Sequence, residues 1–237
     1  MSEPRVVVVT GASRGIGLAV ASWFAAHGDQ VVALSSTGTE VPGAARSVAC
    51  DVTDSTAVDA AFTEVEEGLG NVDVLVANAG ITIDQLALRM SDDAWQRVLD
   101  VNLSGAFYCA RRALRKMVRS HAGRIVFVSS VGAFVGLPGQ ANYAASKAGL
   151  VGLARALSRE VASRGVTVNV VAPGLVDTDM LGAVGDDRRA QLASLVPLGR
   201  IAAPEEVAGL VGFVASADAA YMTGAVLPLD GGLAMGL

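Results

Sequence analysis

The stretch Val6-Val7-Val8-Val9-Thr10-Gly11-Ala12-Ser13-Arg14-Gly15-Ile16-Gly17 governs how the rest of the chain is read. Four consecutive valines without polar alternation describe a strand covered on both faces, the kind that builds parallel sheets. A turn with glycines at 11, 15 and 17 follows, and a helical pattern starts immediately after it. Glycine allows the tight turn and brings backbone N–H groups close to a phosphate, whose charge suits a helix N-terminus. The spacing is G-x-x-x-G-x-G rather than G-x-G-x-x-G, so taken alone the glycines could equally serve only to pack a helix on a sheet.

Outward from that turn, short apolar runs alternate with longer helical patterns. The strand candidates are Arg5–Val9, Gln30–Leu34, Ser47–Ala49, Asp73–Ala77, Arg124–Ser129, Thr167–Val171 and Ala225–Leu229. Helix start signals stand in the intervals: Asp54-Ser55, Ser91-Asp92-Asp93, and Pro204-Glu205-Glu206 with proline in the first turn. The expectation is one α/β domain over residues 1–237, doubly wound, with a seven-stranded parallel sheet and helices on both faces.

Of the 237 residues 52% are hydrophobic and only 17% charged, as in a chain with many elements buried on more than one side. A net charge of −5 argues against nucleic acid as a partner. Cys50 and Cys109 make no disulfide framework, no apolar run is long enough to span a membrane, and the four valines are too short for a signal-peptide core. A cytoplasmic protein without a metal is expected.

In a doubly wound sheet, ligands bind at the C-terminal ends of the strands. Asp51-Val52 and Asn78-Ala79-Gly80 fall there, although each alone reads as a cap or turn. The second strand ends Leu34-Ser35-Ser36-Thr37, with no acid before Glu40 to hold an adenosine ribose 2′-hydroxyl. Arg14 and the hydroxyls of Ser35 and Ser36 instead suit a 2′-phosphate, which favours NADP(H) over NAD(H). Further along, Tyr143 and Lys147 stand four apart on one helix face in a chain with three tyrosines and two lysines. A nearby ammonium would lower the phenol's pKa from about 10 and make it a usable acid or base.

The set Thr10-Gly11-x-x-x-Gly15-x-Gly17, Asn78-Ala79-Gly80, Asn102, Ser130, Tyr143-x-x-x-Lys147 and Pro173-Gly174 resembles the short-chain dehydrogenase/reductase family across essentially the whole chain. Asn78–Thr82 with Arg89-Met90, Gln140–Gly149 and Asp230-Gly231-Gly232 are similar to its 3-oxoacyl-[acyl-carrier-protein] reductases. The resemblance implies a Rossmann-type fold and these roles: Ser130 bonds the substrate carbonyl, Tyr143 protonates it, and Lys147 binds the nicotinamide ribose and holds the phenol's pKa down. Asn102 would hold a water linking Lys147 to solvent, while Val176 and Thr178 meet the nicotinamide carboxamide. Gly11, Ser13, Arg14, Gly15, Ile16, Gly17, Ser35, Ser36, Asp51, Val52, Asn78, Ala79, Gly80, Tyr143, Lys147, Pro173 and Gly174 complete the expected cofactor contacts. Ser129 should turn away from the site, and Trp95 should pack its helix.

The expected reaction is NADPH-dependent reduction of a 3-oxoacyl thioester in fatty-acid synthesis. Alternatives are an acyl-CoA or polyketide ketoreductase, an NAD-linked alcohol dehydrogenase, or a nucleotide-binding scaffold without turnover. A basic stripe that includes Arg112, Arg115 and Arg119, together with Arg164, at a position the family resemblance implicates in carrier docking, would dock an acyl carrier protein, or else is a solvated or subunit-facing stripe. At about residues 180–197, a segment carrying Met180, Leu181, Val184 and Leu192 suits a lid over an acyl chain, or else a packed surface loop. The apolar circumference of the helix after Asn142 points to a partner subunit, and the family resemblance to a homotetramer.

Overall fold

The computed structural model describes residues 4–182 and 185–235. Seven parallel strands run in the order β3-β2-β1-β4-β5-β6-β7: β1 Val6–Thr10, β2 Gln30–Ser35, β3 Arg46–Ala49, β4 Val74–Ala77, β5 Gly123–Val128, β6 Val166–Pro173 and β7 Val226–Leu229. Between them lie α1 (Gly15–Ala26), α2 (Ser55–Gly68), α3 (Asp92–Leu99), α4 (Gly105–Ser120), α5 (Gly132–Val135), α6 (Ala141–Val161), α7 (Asp179–Gly182), α8 (Asp186–Ser194) and α9 (Pro204–Val214). Every strand read from the sequence is present, with ends shifted by a residue or two.

Alternation of side chains across the strands builds two cores. Val6, Val8, Leu75, Ile125 and Phe127 face α2, α4 and α6, where Phe62, Cys109, Met117 and Leu150 meet them. Val7, Val9, Val74, Val76 and Val126 face α1 and α9, where Val20, Phe24, Val207 and Val211 close the second layer. The sheet is therefore buried on both faces, which is why its strands carry no polar alternation. Cys50 and Cys109 are free and buried.

Two start signals act as expected. The Asp54 carboxylate accepts the Thr56 N–H at 2.8 Å, and the Ser91 hydroxyl accepts the Ala94 N–H at 3.2 Å. Between α3 and α4 the chain does not break. One π turn, Asp100–Ser104, joins them, closed by the Gly105 N–H on the Asp100 carbonyl. Trp95 differs from expectation: it is 40% exposed on α3 rather than packed beneath it. Because strand order reverses at β1 and β4, their C-terminal ends open a crevice, and the first turn lies in it.

Candidate active site

A cleft of about 1060 Å³ occupies this crevice. All the cofactor contacts expected from the sequence border it, from Gly11 to Thr178, as does Ser130. Its floor is a stitched turn. Thr10 Oγ1 accepts the N–H groups of Asn78 and Ala79, both at 3.0 Å, and Asn78 Nδ2 donates to the carbonyls of Thr10 and Gly11. Gly11 has φ +64°, and a Cβ there would stand 2.8 Å from Ala79 Cα; one on Gly17 would overlap the Gly11 carbonyl. Only glycine fits either position. Arg14 precedes α1 without a side-chain cap, so the first-turn N–H groups of α1 are left for a ligand in the cleft. This cradle fits a pyrophosphate.

At the β2 end, Ser35 is buried and Ser36 exposed, and Arg14 lines the same cleft. Asp51, across from them, has its pKa lowered by hydrogen bonds from the Thr53 N–H and hydroxyl, with Arg97 adding to the effect. Its carboxylate accepts locally from Thr53. At the far end Gly174 packs against Asp230, where a Cβ would meet Asp230 Cα at 2.8 Å. Val176 forms a parallel bridge with Ala202, and Thr178 leans over Gly15. The expected lid is described as α7 and α8, with Arg189 of α8 paired to Asp177 at its base. Leu181 lines the cleft. Val184 and the side chain of Met180 lie outside the described residues.

Ser130 follows β5 and Tyr143 stands in the first turn of α6, and both line the cleft, on either side of Gly132, where a Cβ would lie 3.3 Å from Ser130 Oγ and 4.0 Å from Tyr143 Cε1. Ser130 Oγ also accepts the Gly132 N–H at 3.1 Å, which fixes its direction. Ser129 turns the other way, as expected, and donates to the Lys147 carbonyl at 2.8 Å. Lys147 is buried, with Nζ donating to the Val128 carbonyl at 2.8 Å and lying 5.8 Å from the centre of the Tyr143 ring. Burial without an acid pulls its pKa from 10.5 to about 8.

Two expectations need correction. In this geometry Lys147 does not hold the phenol's pKa down. Burial raises Tyr143 above the ordinary phenol value, the Ser130 hydrogen bond opposes that, and the Asp84 carboxylate adds to the rise. Nor does the Asn102 side chain stand free for a water. Its Oδ1 accepts the Ile81 N–H at 2.8 Å, and its Nδ2 donates to the Ile81 carbonyl and Ser146 Oγ, both at 3.0 Å. The amide anchors the cleft wall from behind.

The basic stripe also divides. Arg112 is 7% exposed and turned inward, with Nη1 and Nη2 on the two oxygens of Glu66 at 2.7 and 2.9 Å and Nε on Asp59 at 3.0 Å. It is an internal tie between α4 and α2, not a docking residue. Arg115 is exposed but also pairs with Asp59, at 2.7 Å. Arg119 is exposed, and Arg164 Nη1 lies 3.1 Å from His121 Nε2.

The sequence reading missed Asn142. This residue is fully buried, and its Nδ2 donates to the carbonyls of Ile83 and Ala94 while its Oδ1 accepts the Tyr143 N–H. An amide in the first turn of a helix was the available signal, since asparagine there hydrogen-bonds backbone groups.

Comparison with known proteins agrees with this geometry. A family model described as enoyl-(acyl carrier protein) reductase matches residues 11–234. The chain is 51% identical over 234 residues to 3-oxoacyl-[acyl-carrier-protein] reductase MabA of Mycobacterium tuberculosis, covering 98% of this chain and 94% of that protein. It is 44% identical over 240 residues to 3-oxoacyl-[acyl-carrier-protein] reductase FabG of Escherichia coli, covering 98% of each. With a glycine cradle at the switch point, and serine, tyrosine and lysine gathered on one cleft, the chain belongs to the short-chain dehydrogenase/reductase family.

Proposed function

We propose that this protein is an NADPH-dependent reductase that converts 3-oxoacyl thioesters on an acyl carrier protein to 3-hydroxyacyl thioesters in fatty-acid synthesis. The observation that carries this reading is that Ser130 and Tyr143 line one cleft, beside a buried lysine and a dinucleotide cradle. Two hydroxyls on one cleft suit a single carbonyl oxygen. Ser130 donates to that oxygen and orients it, and Tyr143 hands it a proton. The reduced nicotinamide, when bound, supplies the hydride that the carbonyl carbon takes up. A ketone draws its proton from the phenol directly, whereas a reduced carbon–carbon double bond needs one at carbon, so the site favours the 3-oxoacyl substrate over an enoyl one.

Burial keeps Tyr143 protonated through neutral pH, the form an acid requires. Lys147, with its pKa near 8, reloads the phenol and holds the ribose hydroxyls. Gly80 packs closely against it: a Cβ there would lie 3.2 Å from Lys147 Nζ and 3.3 Å from Asn102 Oδ1. The absence of an acid after β2, with Arg14, Ser35 and Ser36 in its place, supports NADPH over NADH.

The carrier, an acidic partner, would meet Arg119 and Arg164, the two residues of the expected set without a carboxylate partner among the described residues. Arg164 closes the end of α6 opposite Tyr143, about 30 Å along a 21-residue helix. A carrier seated there would therefore serve a neighbouring subunit of a homotetramer, with α6 helices crossing head to tail. No helix among the described residues is long and apolar enough to cross a membrane, in keeping with a cytoplasmic enzyme.

Steady-state rates with a 3-oxoacyl thioester test the reading, using NADPH against NADH and carrier-bound against CoA-bound substrate. NADPH and the carrier should be preferred, and Tyr143→Phe should lose at least about a hundredfold in kcat. Undiminished turnover by Tyr143→Phe would remove the proposed acid.

A further inference from the structure

The segment Ile81–Ile83 has little secondary structure to hold it, yet its Ile81 and Thr82 form part of the cleft wall. Two buried amides carry it. Asn102 takes both backbone groups of Ile81, and Asn142 takes the carbonyl of Ile83 at 3.1 Å. The same Asn142 Nδ2 reaches the Ala94 carbonyl of α3 at 3.2 Å, and its Oδ1 receives the Tyr143 N–H at 2.8 Å. One side chain thus joins the cleft wall, α3 and the backbone of Tyr143. It has no solvent exposure, so each partner lost would leave a buried polar group unpaired.

We infer that Asn142 is a positioning residue for the reduction, fixing the Tyr143 phenol relative to the wall against which the acyl thioester lies. The inference rests on the ketoreductase reading above. Asn142 touches no reacting atom; it sets a distance. A displacement of about 1 Å at a reacting group costs up to a hundredfold in rate.

Asn142→Asp is the sharpest variant. It keeps the shape and the acceptor for the Tyr143 N–H but removes both donors and sets a carboxylate against two carbonyl oxygens. At neutral pH its kcat should fall about tenfold to a hundredfold, with KM for NADPH within about threefold of the parent, because the cradle does not involve this residue. As the pH falls the new carboxyl takes up a proton and regains one donor, so its kcat relative to the parent should rise. Asp84, Asp93 on α3, and Tyr143 and Lys147 on α6 are present in both proteins, which is why the variant is read as a ratio to the parent. A residue that merely stabilised the fold would lower Tm without this pH-dependent recovery. Asn142→Ser, shorter and still a donor, carries the same expectation for kcat and KM should the aspartate variant not fold. A folded variant with kcat within twofold of the parent, or a ratio flat with pH, overturns the inference. Loss of activity in Tyr143→Phe alongside active Asn142 variants would sink this inference alone and leave the reductase reading intact.

Discussion

Lys147 and Arg112 are both buried cations, 4% and 7% exposed, and the protein treats them in opposite ways. Arg112 is gripped by Glu66 and Asp59, so its charge is matched and its pKa is raised above the usual arginine value. Among the described residues Lys147 has a single carbonyl oxygen as hydrogen-bond partner, and burial drops its pKa to about 8. A cation buried with acids is a structural tie. Buried without them, it is held uncomfortably, and that discomfort keeps its proton available near neutral pH.

The contrast predicts opposite signs. Arg112→Ala should cost the most stability, about 3 kcal/mol, because the Glu66 carboxylate loses both guanidinium contacts and keeps the Lys116 ammonium no nearer than 4.0 Å. Urea unfolding measures it, and a loss below about 1 kcal/mol would make Arg112 an ordinary surface arginine. Lys147→Met should abolish turnover yet stabilise the cofactor-free protein at pH 7, by on the order of 2–3 kcal/mol. The sign follows from the folded protein releasing a proton near pH 8 that the unfolded chain keeps to 10.5. The parent therefore gains stability relative to the variant as pH rises through that window. Unfolding curves at pH 7 and 10 check this, and a difference independent of pH would mean that Lys147 titrates as if in water. Smallest of the three, Arg164→Glu should change stability by under about 1 kcal/mol. It should lower kcat/KM several-fold for the carrier-bound substrate alone, leaving the CoA thioester untouched; equal losses on both would exclude a docking role.

How far the sequence revealed each of these depends on where a residue's partners lie. Strands, glycine turn and the tyrosine–lysine pair are local: hydrophobic runs, a turn between them, and two residues one helical turn apart. Ser129 and Ser130 could be separated because alternation at a strand end is local too. Arg112 was misread, although it falls in line with Cys109, Ala113 and Met117 on the inward face of α4. A basic stripe at spacing four suggests solvent, and Glu66, 46 residues away on another helix, left no local trace. Lys147 was picked out by its motif, but its pKa followed from burial, which no motif shows. The amides of Asn102 and Asn142 bond backbone carbonyls, and backbone partners have no identity in a sequence.

The π turn at Asp100–Ser104 has its own consequence. It places an additional residue within what is otherwise a single rod from Asp92 to Ser120. Successive residues of a regular helix are about 100° apart. Deleting any one residue of this turn would restore an ordinary ladder and swing everything beyond it by that angle. Either Asn102 or the Cys109–Met117 face would then leave the interior, so the length of this connection is as constrained as the chemistry beside it.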